Sequence, residues 1–274
     1  MLAGERFGLE RTRGTLRARF AVRDSRTFPL EAYQSGAARI RFPRVEPGQP
    51  LEAALINTAG GLTGGDRLSA SIALDTQAQA IVTSQACEKI YRSNGGDARI
   101  RTEISLGSGA HLDWLPQPTI LFDGAQLRRE TTVDMEADAG IILLEACVLG
   151  RTAMQETMNQ GMLIDHWRIR RDGRLVYADA IALEGEIRAR YASLWALGAF
   201  RAYATLVCVS AGVEARLTEM RDVLTDLPGR AAASAWNGLL SVRFLADDGY
   251  ALLACLAPVL KTLRRAPLPR LWAI

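Results

Sequence analysis

Histidine is nearly absent. His111 and His166 are the two in 274 residues, and each stands singly in a strand-like run, "GAHLDWL" and "LIDHWRI". Neither has a partner two or four residues away to share its face, so the sequence offers no closed transition-metal site. Cysteine is equally sparse. Cys87, Cys147, Cys208 and Cys255 lie dozens of residues apart with no C-x-x-C pair, which excludes a disulfide scaffold and a zinc knuckle. Burial as small hydrophobes is the plain reading of all four. Charge of neither sign dominates: 33 Lys and Arg face 30 Asp and Glu, with no basic tail to draw nucleic acid. No apolar run reaches the roughly 18 residues of a membrane span. The longest, "YALLACLAPVLKTL", is broken by Pro258 and Lys261, and the charged N-terminus lacks a signal core. These absences lead us to expect a cytoplasmic protein with neither membrane nor nucleic acid as partner.

Catalytic signatures are missing too. There is no G-x-S-x-G, and nothing local pairs Cys87 or Cys147 with a histidine base. The stretch "NTAGGLTGGDRL" has the G-x-x-x-x-G spacing of a phosphate loop between Gly60 and Gly65. A phosphate loop needs Lys and then Ser or Thr next, and Asp66 and Arg67 stand there instead. The segment that follows alternates as a strand, so no helix N-terminus awaits an anion.

What is present is strand patterning. "LSASIAL" sets Leu68, Ala70, Ile72 and Leu74 against Ser69, Ser71 and Ala73, and "ARIRTEISL" alternates apolar with charged residues over nine positions. Turn signals recur at Asn94-Gly95-Gly96, Gly107-Ser108-Gly109, Asp123-Gly124, Gly140 and Gly150, and Asp172-Gly173 predicts a hairpin. Glu145 and Cys147, two apart on a strand, point the same way.

After Gly212 the period changes. "EARLTEMRDVLTDLPG" predicts a helix stopped at Pro228-Gly229, and Asp248 an N-cap for a second helix that Pro258 should kink or split. The apolar character of these helices predicts a surface that needs a partner for solubility. The tail "APLPRLW" predicts an extended segment packed down by Leu271 and Trp272. The organisation is therefore mainly β: one domain over residues 1–274, strands through 1–212, a strand plus two helices in 213–274, and no sequence repeat.

Three stretches in this order resemble one family. "NTAGGLTGGDRL" resembles the GG-x-x-GGD signature of the UreD (UreH) urease accessory proteins through Gly60, Gly61, Gly64, Gly65 and Asp66. "EKIYRSNGG" resembles their K-[FI]-Y-R-S segment through Lys89, Tyr91, Arg92 and Ser93. "WLPQPTILFDGA" resembles their W-x-P-Q block through Trp114, Pro116 and Gln117. "LGRTAMQE", with Arg151 and Glu156, the "WRIRRDGRLVYADAIAL" hairpin and the ending "PRLW" extend the likeness, which is weakest over 194–246. Where many members carry His-Pro-Pro before the double glycine, this chain has Asn57-Thr58-Ala59.

The resemblance implies a helical, β-solenoid-like stack of strands with C-terminal helices and a maturation role without catalysis. It implies binding to apo-urease and to UreF-type and UreG-type partners, and help in inserting nickel, Ni2+ being carried transiently with no cofactor permanently bound. A water-filled nickel passage has been proposed for such proteins, and weak oxygen donors suit a conduit because soft, closed sites trap the ion. The acidic residues within the matching blocks, Asp66, Glu88, Asp123, Glu145 and Glu156, are then the candidates to line it. Each also has a plain role, such as a turn cap for Asp66 and Asp123 or an ion pair to Lys89 or Arg92 for Glu88. A rival reading is a small-molecule enzyme with a β-lined pocket using Cys87 or His111.

Overall fold

A computed structural model describes residues 10–272 apart from 47, 152, 153, 155, 194 and 195. The chain opens with β1 (Arg13–Arg23), β2 (Arg26–Gly36), β3 (Ala38–Arg41) and β4 (Leu51–Asn57). Its middle holds β5 (Arg67–Leu74), β6 (Gln79–Ser84), β7 (Glu88–Ile90), β8 (Ala98–Leu106), β9 (His111–Leu115) and β10 (Thr119–Leu121). Then come β11 (Gln126–Met135), β12 (Gly140–Leu149), β13 (Gln160–Arg171) and β14 (Arg174–Glu186). Short α1 (Ile187–Tyr191), β15 (Ala202–Val209), α2 (Leu217–Leu224), β16 (Arg230–Trp236), β17 (Leu239–Ala246) and α3 (Gly249–Arg264) complete it.

Two sheets face each other. One runs β14-β13-β11-β8-β5-β1-β2 and the other β16-β17-β15-β12-β9-β6-β4-β3. From β5 to β13 the chain alternates between them, and neighbours within each sheet are parallel: β5 with β8, β8 with β11, β11 with β13, and β6 with β9, β9 with β12. Such winding makes a β-solenoid-like stack. Small β7 and β10 form a third wall beside β12. Equivalent residues Arg67, Arg99, Arg128 and Ile164 are unevenly spaced along the chain, which is why no sequence repeat is visible.

The alternating strands leave one face of the first sheet in water, as their patterns require. Their inward residues stack in register: Ile72, Ile104, Val133 and Ile169 form one buried row. By contrast β12 and β15 are buried along their whole length, because the second sheet is covered on both faces. The first sheet covers one face. The other carries α3 through Leu252, Cys255, Leu256, Val259, Leu260 and Leu263. The apolar helix surface expected to need a partner is thus turned onto the chain's own sheet.

Several local expectations hold. Asp172-Gly173 joins antiparallel β13 and β14, and Asp248 Oδ1 accepts Ala251 N–H at 2.8 Å as the cap of α3. Others are corrected. Pro258 does not split α3, which runs unbroken from Gly249 to Arg264; the residue four back, Ala254, is exposed, so solvent can serve its carbonyl. Helix α2 ends at Leu224, short of Pro228-Gly229, and residues 213–274 hold a hairpin, β16 with β17, rather than a single strand. The tail closes in a 3-10 turn at Arg270–Trp272 instead of staying extended. Trp272 is buried as expected, its Nε1 donating to Leu115 O at 2.9 Å and to Thr83 Oγ1 at 3.2 Å.

Candidate functional site

Each coil turns from the second sheet to the first through a long corner, and these corners carry the signature residues. Leu62 N donates to Lys89 O and Tyr91 N to Leu62 O, both at 2.7 Å, zipping the glycine loop to the next corner. A side chain at Gly61 would collide with the Tyr91 ring, and one at Gly64 with Ser93 and the carbonyls of Gly95 and Gly96. Close approach of backbone, not phosphate binding, is what the glycines allow. Tyr91 meets Phe122 edge-on at 4.9 Å, and Arg151 lies over the same ring at 4.3 Å while its Nε donates to Glu156 Oε2 at 2.6 Å. Arg92 Nη2 donates to Asp123 Oδ2 at 2.6 Å, and Asp123 Oδ1 accepts from Asn159 N and Gln160 N. The corners form one column.

This geometry sorts the five acidic candidates. Asp66 is buried and caps its own turn, Oδ2 accepting Thr63 N–H and Oδ1 accepting Thr12 N–H, each at 2.8 Å. Asp123 likewise caps backbone N–H groups in the column, whereas Glu156 is taken up by its ion pair with Arg151. Glu88 and Glu145 instead line a cavity of about 270 Å³ between the sheets, with Asn57, Trp114, Thr119 and Arg129. Pro116, Gln117, Gly60 and Lys89 also border it; the last two are exposed and mark its rim. Asn57 Nδ2 donates to both Glu88 oxygens, at 3.0 and 3.2 Å. Burial pushes the Glu88 carboxyl up, against the pull of Asn57.

At the inner end of the cavity lies a buried charge cluster. Arg129 Nη1 donates to Glu145 Oε2 and Arg129 Nη2 to Asp165 Oδ2, both at 2.5 Å. Trp114 Nε1 adds a bond to Glu145 Oε1 at 3.3 Å, and Arg129 Nη2 reaches Cys147 Sγ at 3.5 Å. Burial alone would pull the Arg129 guanidinium down, but Asp165 and Glu145 outweigh it and raise it well above its ordinary value. Burial raises the Glu145 carboxyl despite Arg129, with Asp165 adding to the rise. It also raises the Cys147 thiol.

Beyond the cluster, Asp165, Tyr203 and Asp179 border a void of about 10 Å³, the space of one water. Asp179 Oδ2 there accepts from Arg243 Nη2 at 2.8 Å near the outer surface. Arg129 Nε, Thr131 Oγ1, Asp165 Oδ1 and Tyr203 OH are buried without protein partners. In a dry core each would cost about 1–3 kcal/mol.

Arg129, Asp165 and Asp179 escaped the sequence reading, although two had a signal. In "QLRRETTV" Arg129 shares the inward face with Leu127 and Val133, and in "LIDHWRI" Asp165 shares it with Leu163 and Trp167. A charge on an apolar face is that signal. His111 corrects another expectation. Asp113, two residues on, shares its face of β9, meeting His111 Nε2 at 3.1 Å and accepting Arg264 Nε at 2.7 Å. That pair lies on the helix side of the sheet and does not line the cavity, whereas Cys87 does. Burial raises the Cys87 thiol, which favours its unreactive form. Among the described residues no three His, Cys, Asp or Glu side chains converge on a metal site, and no helix is long and apolar enough to cross a membrane.

Comparison with known proteins agrees with the column of signature residues. The model of the UreD urease accessory protein family matches residues 12–273. The chain belongs to the UreD family. It is 45% identical over 250 residues to Urease accessory protein UreD of Rhizobium leguminosarum bv. viciae, covering 91% of this chain and 90% of that one. The protein of the same name from Rhizobium etli is 45% identical over 261 residues, covering 95% and 94%. That of Xanthobacter autotrophicus is 44% identical over 271 residues, covering 99% and 93%. The chain is thus a urease accessory protein, a class named for assisting an enzyme rather than for catalysis.

Proposed function

We propose that this UreD-family chain works in the cytoplasm on urease maturation, binding apo-urease together with UreF-type and UreG-type partners, and that nickel crosses it as cargo between the two sheets. The observation that carries the passage is the sequence of oxygen donors along one interior route. Glu88 stands near the rim of the cavity, Glu145 and Asp165 at the neck, and Asp179 on the wall of the small void. Oxygen donors exchange a divalent ion readily, and no soft, closed set is there to hold it. Arg129 bridges the two neck carboxylates and offsets their charge, so a cation arriving there competes with a guanidinium for Glu145 and Asp165. The unpartnered Thr131, Asp165 and Tyr203 atoms suit a hydrated channel. Asn57 occupies the rim where many relatives have histidine, and its amide holds Glu88 in place.

The test is co-expression of urease and its accessory proteins with Glu145→Gln plus Asp165→Asn in this chain. Complex recovered by pull-down should be unchanged while nickel per urease site falls at least tenfold. Normal loading overturns the passage. Full activation without this chain overturns the accessory role. Cys87→Ala and His111→Ala chains should each activate urease fully, which the small-molecule enzyme reading with Cys87 or His111 does not allow.

A further inference from the structure

The solvent face of the first sheet mixes its charges over most of its area. Arg101 pairs with Glu103 at 2.9 Å, Arg168 with Glu130 at 3.5 Å, Arg170 with Asp134 at 4.0 Å and Arg19 with Asp75 at 2.8 Å. One row departs from this. The register sets Arg13 beside Arg67, Arg67 beside Arg99, and Arg99 beside Arg128, four exposed arginines on four adjacent strands. Strands lie about 4.8 Å apart, so the row spans about 14 Å. Arg11 adds another guanidinium near Gly65. Among the described residues Asp97 is the one carboxylate paired with the row, at 3.0 Å from both Arg99 and Arg128; Arg13 and Arg67 have none. Like charges facing each other across adjacent strands destabilise a sheet. Among the described residues no carboxylate within the fold offsets Arg13 or Arg67.

We propose that this arginine ladder is a docking surface for an acidic helix of a partner protein. Guanidinium groups bind carboxylates in a planar, two-pronged fashion, which favours Asp and Glu as the complementary chemistry. Spacing selects the helix. Carboxylates four residues apart on a helix recur at about 5–6 Å, close to the step of the ladder, whereas same-face residues on a strand recur at roughly 6.7 Å. Width disfavours a broad polyanion such as a nucleic acid duplex. Elsewhere on this face Glu103, Glu130 and Asp134 are paired with Arg101, Arg168 and Arg170, which leaves little net positive charge for the duplex's second line of phosphates.

The experiment titrates the full chain with a synthetic alanine-based helical peptide carrying glutamate at every fourth position. An isomer with the same glutamates spread around all faces, and a short DNA duplex, serve as comparisons. The fourth-position peptide should bind, weaken at least tenfold between 50 and 300 mM salt, and exceed the isomer at least fivefold. Arg13→Glu with Arg67→Glu should weaken it at least tenfold while melting at or above the parent temperature. If that pair melts lower, Arg13→Gln with Arg67→Gln replaces it, with at least a threefold loss expected. Absence of binding, equal affinity for the isomer, tighter binding of DNA, or unchanged affinity in the substituted chain each overturns the proposal.

Discussion

Arg129 and Asp165 are register partners on neighbouring parallel strands, and their buried side chains meet at 2.5 Å. With Glu145 on the facing sheet they place three charges between two hydrophobic layers. Removing the guanidinium would leave two buried carboxylates facing each other. We expect Arg129→Met to cost about 3–5 kcal/mol, measured by urea unfolding. The pH dependence follows from Glu145. Its folded-state pKa lies above its unfolded value, so the folded state holds its proton longer, and stability falls as the pH rises from the unfolded toward the folded value. Losing Arg129 removes the interaction that opposes this rise. The deficit of the variant should therefore be smaller at pH 5 than at pH 8.

Gly60 and Gly61 differ in what they tolerate. Gly60 has φ +75° and open space around its Cβ position, so Gly60→Ala should cost only about 1 kcal/mol. Gly61 has φ +152° and the Tyr91 ring against it, so Gly61→Ala should cost about 3 kcal/mol and shift the near-ultraviolet signal of Tyr91. Thermal melts of the two variants, side by side, check the contrast.

Gln117 Nε2 donates to Leu271 O at 2.8 Å across 154 residues of sequence. Gln117→Ala should cost about 1–3 kcal/mol and expose the tail to carboxypeptidase. Trp272→Ala removes a buried ring and should cost about 3–5 kcal/mol, read from denaturation midpoints.

Pro258 interrupts the hydrogen bonds of α3 at a half-buried position. Pro258→Ala restores an N–H donor without needing new space, so the melting temperature should rise, with a gain of up to about 3 kcal/mol.

The solvent-facing strands were legible because one wet face imposes a period of two. Ile104 among Glu103 and Ser105 leaves no ambiguity. Where both faces are covered, as in β12, the alternation vanishes and only Glu145 marks the orientation. The glycine loop was legible as a turn and as a family signature. Its contact with Tyr91 was not, because that contact depends on how one coil stacks on the next. The neck of the interior route was half visible. Glu145 and Cys147 were rightly placed on one side, yet Arg129 and Asp165 come from another sheet, and parallel register is not written in local sequence. Asp66 shows the opposite case, a residue prominent in its motif whose carboxylate is spent on two backbone amides.

The tail held by Gln117, together with α3, also sets an order of events during synthesis. The outer face of the second sheet stays only partly covered, by α2 and the turn before it, until residues 249–272 have left the ribosome, because those residues supply most of its cover. The nascent chain therefore carries the outer faces of β12, β15 and β17 without α3 from the time each strand emerges until that helix follows.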